Sequence, residues 1–292
     1  MPELPEVETT IHRLKPKVLH RTFIDVWSNW PSLIKKPSSF LDFKNQIKGK
    51  KILNIKRAGK NILFELSDNL IMLAHQKMTG HFLYGTWKEQ NGKWISQSKG
   101  PIREDPQNRF LHLIFFLDNG FQMALSDLRK FAKVELWQKN EIANNLVLKN
   151  LGPDALQITF AQFQSRLQKK KGRIKQVLMD QSVIAGIGNI YSDEILFAAK
   201  VHPLCLVQEL NNNKIKAIYT AMKKILLLAI KKQGTSISDY RLPSGEKGAY
   251  QQIRQVYRRA GQKCVRCSTK IASLKIGGRT AYFCPRCQKK ED

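Results

Sequence analysis

The sequence predicts an α+β chain in several pieces: an opening helix, an antiparallel β domain, a helical domain and a cysteine-held finger. Three observations carry the prediction. Short β-rich runs separated by turn residues fill the stretch from about 23 to 137. Beyond residue 152 the apolar residues recur at helical spacing. Four of the five cysteines, Cys264, Cys267, Cys284 and Cys287, fall within the last thirty residues.

The opening stretch "ELPEVETTIHRLKPKVL" places Val7, Ile11 and Leu14 on one helical face. Pro5 is tolerated in a first turn, and early acids suit the positive end of the helix dipole. Next, "RFLHLIFFLDNGFQMALSD" puts two apolar runs around Asn119-Gly120, a pair that supplies positive φ in tight turns. With "KKILNIKRAGKNILFELSDNLIMLAHQ" and its turn at Ser67-Asp68-Asn69, this predicts an antiparallel sandwich or barrel without a long helix inside it. Residues 85–109 are polar and rich in Gly and Pro, and read as a long loop. Residues 138–151 read as a linker. In the helical part, "NKIKAIYTAMKKILLLAIKKQG" aligns Ile215, Ile218, Met222, Ile225 and Ala229, with Gly234 fitting a C-cap.

Charge narrows the function. Fifty Lys and Arg against 23 Asp and Glu give a formal net charge of +27 and a pI near 10.0. Such a surplus points to a polyanionic partner, most often nucleic acid. No apolar run reaches the roughly 18 residues of a membrane span, no basic amphipathic helix dominates, and the acidic start lacks a signal peptide's features. A membrane-free, intracellular protein is expected.

The cysteine pairs "CVRC" and "CPRC", sixteen residues apart, match a tetrahedral Zn²⁺ shell of four thiolates. Four protein ligands leave no position for a bound water, so one structural zinc per chain is expected. Between the pairs, Gly277-Gly278-Arg279 falls at a hairpin tip. Upstream, "AGIGNIYSDEIL" combines Gly186 and Gly188 with Asn189 at a helix start, where free N–H groups attract anions. "KKKGRIK" holds five basic residues in seven and reads as a phosphate-tracking surface.

The N-terminus allows two readings. Locally, Pro2 only opens a helix and Glu3, Glu6 and Glu8 only complement its dipole. Alternatively, removal of Met1 leaves Pro2 a secondary amine whose reference pKa, near 8, keeps part of it neutral and nucleophilic. Such an amine attacking a sugar C1′ expels a base and forms an iminium, with Glu3 placed to move protons.

"PELPEVET", "RAGK", "KMTG", "DLRKF", "AGIGNIYSDEIL" and "GGRTAYFCPRC", in this order from residue 2 to about 288, resemble bacterial formamidopyrimidine-DNA glycosylases. The resemblance implies a β-sandwich opened by a catalytic helix (1–137), a linker (138–151), and a helix–two-turns–helix domain (152–257) with a lesion-capping loop at about 235–252. A zinc ribbon (258–292) follows. It implies Pro2 as Schiff-base nucleophile, Glu3 as general acid, Glu6 as supporting carboxylate, Lys60 as proton donor and phosphate contact, and Arg279 as phosphate clamp. Met78, Arg129 and Phe131 would fill the gap left by the flipped nucleotide, and Lys130 of the same "DLRKF" would contact DNA. His112, Lys170 and Asn189 would contact DNA. The implied partner is double-stranded DNA containing oxidised purines or abasic sites, met by a monomer in the bacterial cytoplasm.

Several motifs depart from the family pattern: Phe110 replaces one of a histidine pair, "DLRKFA" stands for "DPRRFG", and "QKM" for "LRM" or "LGM". These changes touch DNA contacts rather than the chemistry. Two competing functions are an oxidised-pyrimidine glycosylase resembling endonuclease VIII, disfavoured by "PELPEV", and a non-catalytic damaged-DNA binder. If several phosphates are neutralised, duplex affinity must fall steeply between about 50 and 200 mM salt, with a log–log slope of about −0.9 per phosphate. Titrating a labelled duplex across that range tests this, and a flat response would contradict a phosphate-binding groove.

Overall fold

A computed structural model describes residues 1–290. The strands are β1 (Phe23–Ser28), β2 (Ile34–Lys36), β3 (Ile52–Ala58), β4 (Asn61–Leu66), β5 (Leu70–His75), β6 (His81–Gly85), β7 (Trp87–Gln90) and β8 (Lys93–Ser96). They continue with β9 (Leu111–Leu117), β10 (Gln122–Ser126), β11 (Lys133–Gln138), β12 (Ala272–Ile276) and β13 (Arg279–Phe283). The helices are α1 (Leu4–Val18), α2 (Phe40–Ile47), α3 (Pro101–Glu104), α4 (Leu146–Lys149), α5 (Phe160–Gln168), α6 (Ile174–Met179), α7 (Asn189–Ala198) and α8 (Asn212–Lys231). The chain divides into two compact units, Met1–Lys149 with Lys232–Gln251, and Asn150–Lys231 with Gln252–Asp292.

The first unit is a β-sandwich. A four-stranded sheet in the order β1-β9-β10-β6 faces a five-stranded sheet in the order β2-β11-β5-β4-β3. Period-two alternation assigns the faces. Leu113, Phe115 and Leu117 of β9 enter the main core, whereas Ile114 and Phe116 join a smaller cluster on the other face of their sheet. Phe115 packs against Phe23 at 5.1 Å and Phe43 at 6.3 Å between ring centroids, and Val7, Ile11 and Leu14 of α1 share this core. The Asn119-Gly120 turn joins β9 to β10, with Gly120 at φ +77.

The region 23–137 holds no long helix, as expected, only short ones such as the eight-residue α2, capped by Ser39 Oγ, which accepts the Asp42 N–H at 3.2 Å. Two expectations, the open loop at 85–109 and the helix stop at Gly234, need correction here. Residues 85–109 are not an open loop: β7 pairs with β8, and α3 follows. Their scattered apolar residues, Trp87, Trp94 and Ile102, pack onto the smaller cluster, a pattern that the surrounding polar residues dilute below recognition. Gly234 is not the stop of α8, because the helix ends at Lys231 and Gln233 takes the left-handed conformation (φ +61). The segment 232–251, within which the capping loop was expected, groups by its contacts with the first unit.

In the second unit, Ile215, Ile218, Met222, Ile225 and Ala229 of α8 are all buried, as their spacing predicts. Thr159 caps α5 by accepting the Gln162 N–H at 3.3 Å. Strands β12 and β13 form a hairpin whose two-residue turn, Gly277-Gly278, has positive φ at both positions (+53 and +73). Few residues other than glycine adopt that turn without strain. None of the helices among the described residues is long and apolar enough to cross a membrane.

Candidate active site and nucleic-acid interface

In the first unit, Glu3 is the N-cap residue of α1, and Glu6 reaches back so that its Oε2 accepts the Glu3 N–H at 2.8 Å. Glu6 Oε1 accepts the Thr235 N–H at 2.7 Å, so one carboxylate ties the helix start to a segment far along the chain. Both acids are buried, at 2% and 1% exposure for Glu3 and Glu6. Charge-assisted bonds of this kind are what make burial of a carboxylate tolerable. The Glu6 carbonyl accepts the hydroxyls of Thr10 (2.9 Å) and Tyr240 (3.1 Å), and burial pushes the Tyr240 phenol above its ordinary pKa. A Cβ at Gly234, whose φ is +77, would lie 2.9 Å from Glu6 Cγ. That glycine therefore makes room for the carboxylate.

Lys60 sits in the two-residue turn between β3 and β4, where Ala58 pairs with Asn61. Arg57 fixes this turn to α1: its Nε donates to Glu8 Oε2 at 2.5 Å and its Nη1 to the Gly59 carbonyl at 3.2 Å. Lys60 is only 7% exposed. Glu3, Glu6, Asp239 and Lys60 all act electrostatically on the α-amine of Met1, one residue before Pro2. Burial is the largest influence and lowers that amine's pKa; the three acids raise it and Lys60 lowers it. Asp239 was not singled out in the sequence. Nor was His75, whose pKa burial and three lysines, including Lys60, depress to about 3, leaving a neutral imidazole.

Met78, Arg129 and Phe131 come together at the surface. Arg129 Nη1 lies 3.1 Å from Met78 Sδ, and its guanidinium stands 4.5 Å over the Phe131 ring, which is 51% exposed. An exposed phenylalanine held this way is available to partner a base. Fully buried Asp127 shapes the loop by accepting the Ala132 N–H (2.7 Å), the Arg129 N–H (3.3 Å) and the Thr79 hydroxyl. Lys130 lies over Trp30 at 4.1 Å. His112 is largely buried, with Nδ1 2.8 Å from Asn29 Oδ1, and burial followed by Lys130 lowers its pKa.

In the second unit, Asn189 is the first residue of α7, after Gly188 as N-cap. Its Oδ1 is buried without a hydrogen-bond partner. "KKKGRIK" is not uniformly a surface. Lys170 is on the outside, 3.3 Å from Asp180, but Lys175 is fully buried. Lys175 Nζ donates to Asp193 Oδ1 (2.6 Å), Ser192 Oγ (3.1 Å) and the Asn189 carbonyl (3.4 Å). Burial pushes Asp193 up to about 7 against the pull of Lys175. Asp193 Oδ2 accepts the Tyr282 N–H of β13 at 3.1 Å, so the same carboxylate braces the hairpin that bears exposed Arg279. Glu194 accepts N–H groups from Gln255, Val256 and Tyr257 at 2.8 to 2.9 Å.

The Sγ atoms of Cys264, Cys267, Cys284 and Cys287 lie within 4.8 Å of one another. Neighbouring pairs are 3.4 to 3.9 Å apart. A tetrahedron with Zn–S bonds of about 2.3 Å requires S···S separations of about 3.8 Å, so the donor set fits one structural zinc.

A β-sandwich opened by a buried acidic helix, a helical domain and a four-cysteine finger together define a DNA-glycosylase architecture. Three family models match: the formamidopyrimidine-DNA glycosylase N-terminal domain over residues 1–134, the H2TH domain over 151–241, and the zinc finger found in FPG and IleRS over 261–290. Formamidopyrimidine-DNA glycosylases of Pelotomaculum thermopropionicum and Bacillus subtilis are each 36% identical, over 291 and 293 residues, covering 99 to 100% of both chains. Two solved structures of the Lactococcus lactis enzyme superpose, one with N7-benzyl-Fapy-dG DNA (TM-score 0.86, 32% identity) and one with abasic-site DNA (0.84, 31%). Each covers 99% of this chain and 100% of its own. The chain belongs to the formamidopyrimidine-DNA glycosylase family.

Two outcomes follow for the second unit. Chelating the zinc, or acidifying until the thiolates bind protons instead, disorders the β12–β13 hairpin and weakens DNA binding, while the sandwich keeps its circular-dichroism signature. Asp193→Asn leaves Lys175 buried beside a neutral partner and costs about 3–5 kcal/mol, read by calorimetry as an earlier transition of the second unit alone.

Proposed function

We propose that the protein is a bifunctional DNA glycosylase and AP lyase of base-excision repair, acting on 8-oxoguanine and formamidopyrimidines in duplex DNA in the cytoplasm. The observation that supports this reading is that Pro2, Glu3, Glu6 and Lys60 are all buried in the first unit, with Glu6 fixing the Glu3 backbone. With Met1 in place, the Pro2 nitrogen is an amide with no lone pair to give. Its removal leaves a secondary amine in a site where burial favours the neutral, nucleophilic form.

In the proposed reaction the nucleotide leaves the stack, since its C1′ is unreachable within the duplex. The Pro2 nitrogen bonds to C1′ as the glycosidic bond breaks. The base leaves with the bonding pair and takes up the proton that the nitrogen sheds, and the sugar-ring oxygen accepts a proton from Glu3 as the ring opens. The nitrogen lone pair becomes the iminium double bond. Loss of a C2′ proton then drives departure of the 3′ phosphate, with Lys60 supplying charge and a proton. A second elimination releases the 5′ phosphate, with Arg279 holding the negative charge. Met78, Arg129 and Phe131 fill the vacated position, and Lys170, Asn189, Lys130 and His112 hold the flanking backbone. Glu6 keeps the amine and its acid in register by fixing the Glu3 backbone.

Borohydride trapping on a duplex with 8-oxoguanine opposite cytosine tests the assignment. Protein lacking Met1 gives a covalent adduct, and protein whose intact mass shows Met1 retained gives none. Glu3→Gln lowers excision by about 10²–10⁴-fold, the usual contribution of a general acid. Normal excision by that variant would remove Glu3 from its role, and preference for thymine glycol would move the substrate class to oxidised pyrimidines.

A further inference from the structure

Segment 85–109 builds a feature for which the proposed chemistry has no use. Strands β7 and β8 and helix α3 border a cleft of about 380 Å³ on the far side of the four-stranded sheet from the main core. Small-ligand sites are typically about 300–1,000 Å³. Its walls include three indoles, Trp27, Trp87 and Trp94, with Trp27 and Trp94 edge to face at 5.4 Å. Lys93, Arg103 and Arg109 also line it, and no acidic side chain does. Two nearby acids are engaged elsewhere: Asp105 Oδ2 accepts from Arg241 Nε at 2.7 Å, and Glu104 Oε1 accepts the Gly100 N–H at 3.1 Å. Among the described residues neither Arg103 nor Arg109 forms an ion pair, and both are exposed.

We propose that this cleft binds a nucleotide, its base against the indoles and its phosphate on Arg103 and Arg109. The two halves of the lining decide the chemistry together. A bare anion gains nothing from three indoles, and an apolar ring gains nothing from three unopposed cations. Stacking on aromatic side chains accepts any base, and arginine matches phosphate oxygens in a bidentate fork. The favoured source is an unpaired nucleotide of DNA. Asn29, which also lines the cleft, holds His112, a residue assigned above to the DNA backbone. Only this choice of source rests on the proposed function; the nucleotide chemistry stands apart from it.

The test titrates the full-length zinc-loaded protein, following tryptophan fluorescence, with 2′-deoxyguanosine 5′-monophosphate and separately with inorganic phosphate. It also compares affinity for a blunt duplex with the same duplex carrying a single-stranded tetrathymidine extension. The mononucleotide should quench saturably and phosphate should not compete with it at equal concentration. The extension should tighten binding severalfold. In the double variant Arg103→Ala/Arg109→Ala the mononucleotide's affinity should fall by at least about tenfold, as expected for two lost charge-assisted bonds, and the advantage of the extension should disappear. Borohydride trapping on the blunt duplex should be unchanged in that variant, which separates this site from the reaction. Quenching without an advantage from the extension supports the site and makes a free mononucleotide its ligand. Quenching that survives in the double variant, phosphate competing as well as the nucleotide, or no response to either ligand overturns the proposal.

Discussion

A buried carboxylate that accepts backbone N–H groups from a distant segment recurs through this molecule, and Glu6 shows what depends on it. Its two oxygens take the Glu3 N–H and the Thr235 N–H, fixing the first turn of α1 and the residue after Gly234 at once. Glu194 does the same for three successive residues leading to the finger, and Asp127 does it over a short range for the loop that presents Arg129 and Phe131. Asp193 divides its oxygens between Lys175 and the Tyr282 N–H. In a chain with 50 cationic side chains and 23 acidic ones, these acids turn inward as acceptors. Two of the cations assigned to phosphate, Arg279 and Lys170, stay outside, while Lys60 is buried in the first unit. The net charge therefore does not describe the interior.

The same arrangement accommodates both readings of the N-terminus. Glu6 does take part in capping α1, as local rules favour, so the plain helix start is real. The capping bond is also what holds Glu3, and with it the amine, in place. A residue can meet a local rule and serve a site when the bond that satisfies the rule also sets the geometry of the site.

Elements whose determinants lie close in sequence were legible. The β9–β10 hairpin follows from alternation around Asn119-Gly120, the buried face of α8 from its spacing, and the metal site from two short cysteine pairs. What stayed hidden depends on partners far away. Lys175 reads as one more surface charge until Asp193 is seen beside it, and Asp193 reads as a polar helix residue until Lys175 and Tyr282 are placed. Gly234 follows a helix and so reads as its stop, but its missing Cβ matters for Glu6, which lies 228 positions earlier. The β7–β8 hairpin was masked because its tryptophans are isolated among polar residues, and only the sheet they cover makes them a cluster.

The chain path of the first unit bears on how the protein is made. Residues 1–149 emerge from the ribosome first, yet Thr235 and Tyr240, which complete the hydrogen bonding of Glu6, belong to a stretch synthesised much later. Domains commonly fold N-terminal first during synthesis, at about 5–20 residues per second. Here the sandwich can collapse early around its phenylalanines, but one oxygen of Glu6 must wait roughly ten seconds or more for its partner at that pace. The growing chain therefore carries a folded β domain whose first helical turn is incompletely bonded. That turn is finished only when most of the helical domain has been synthesised.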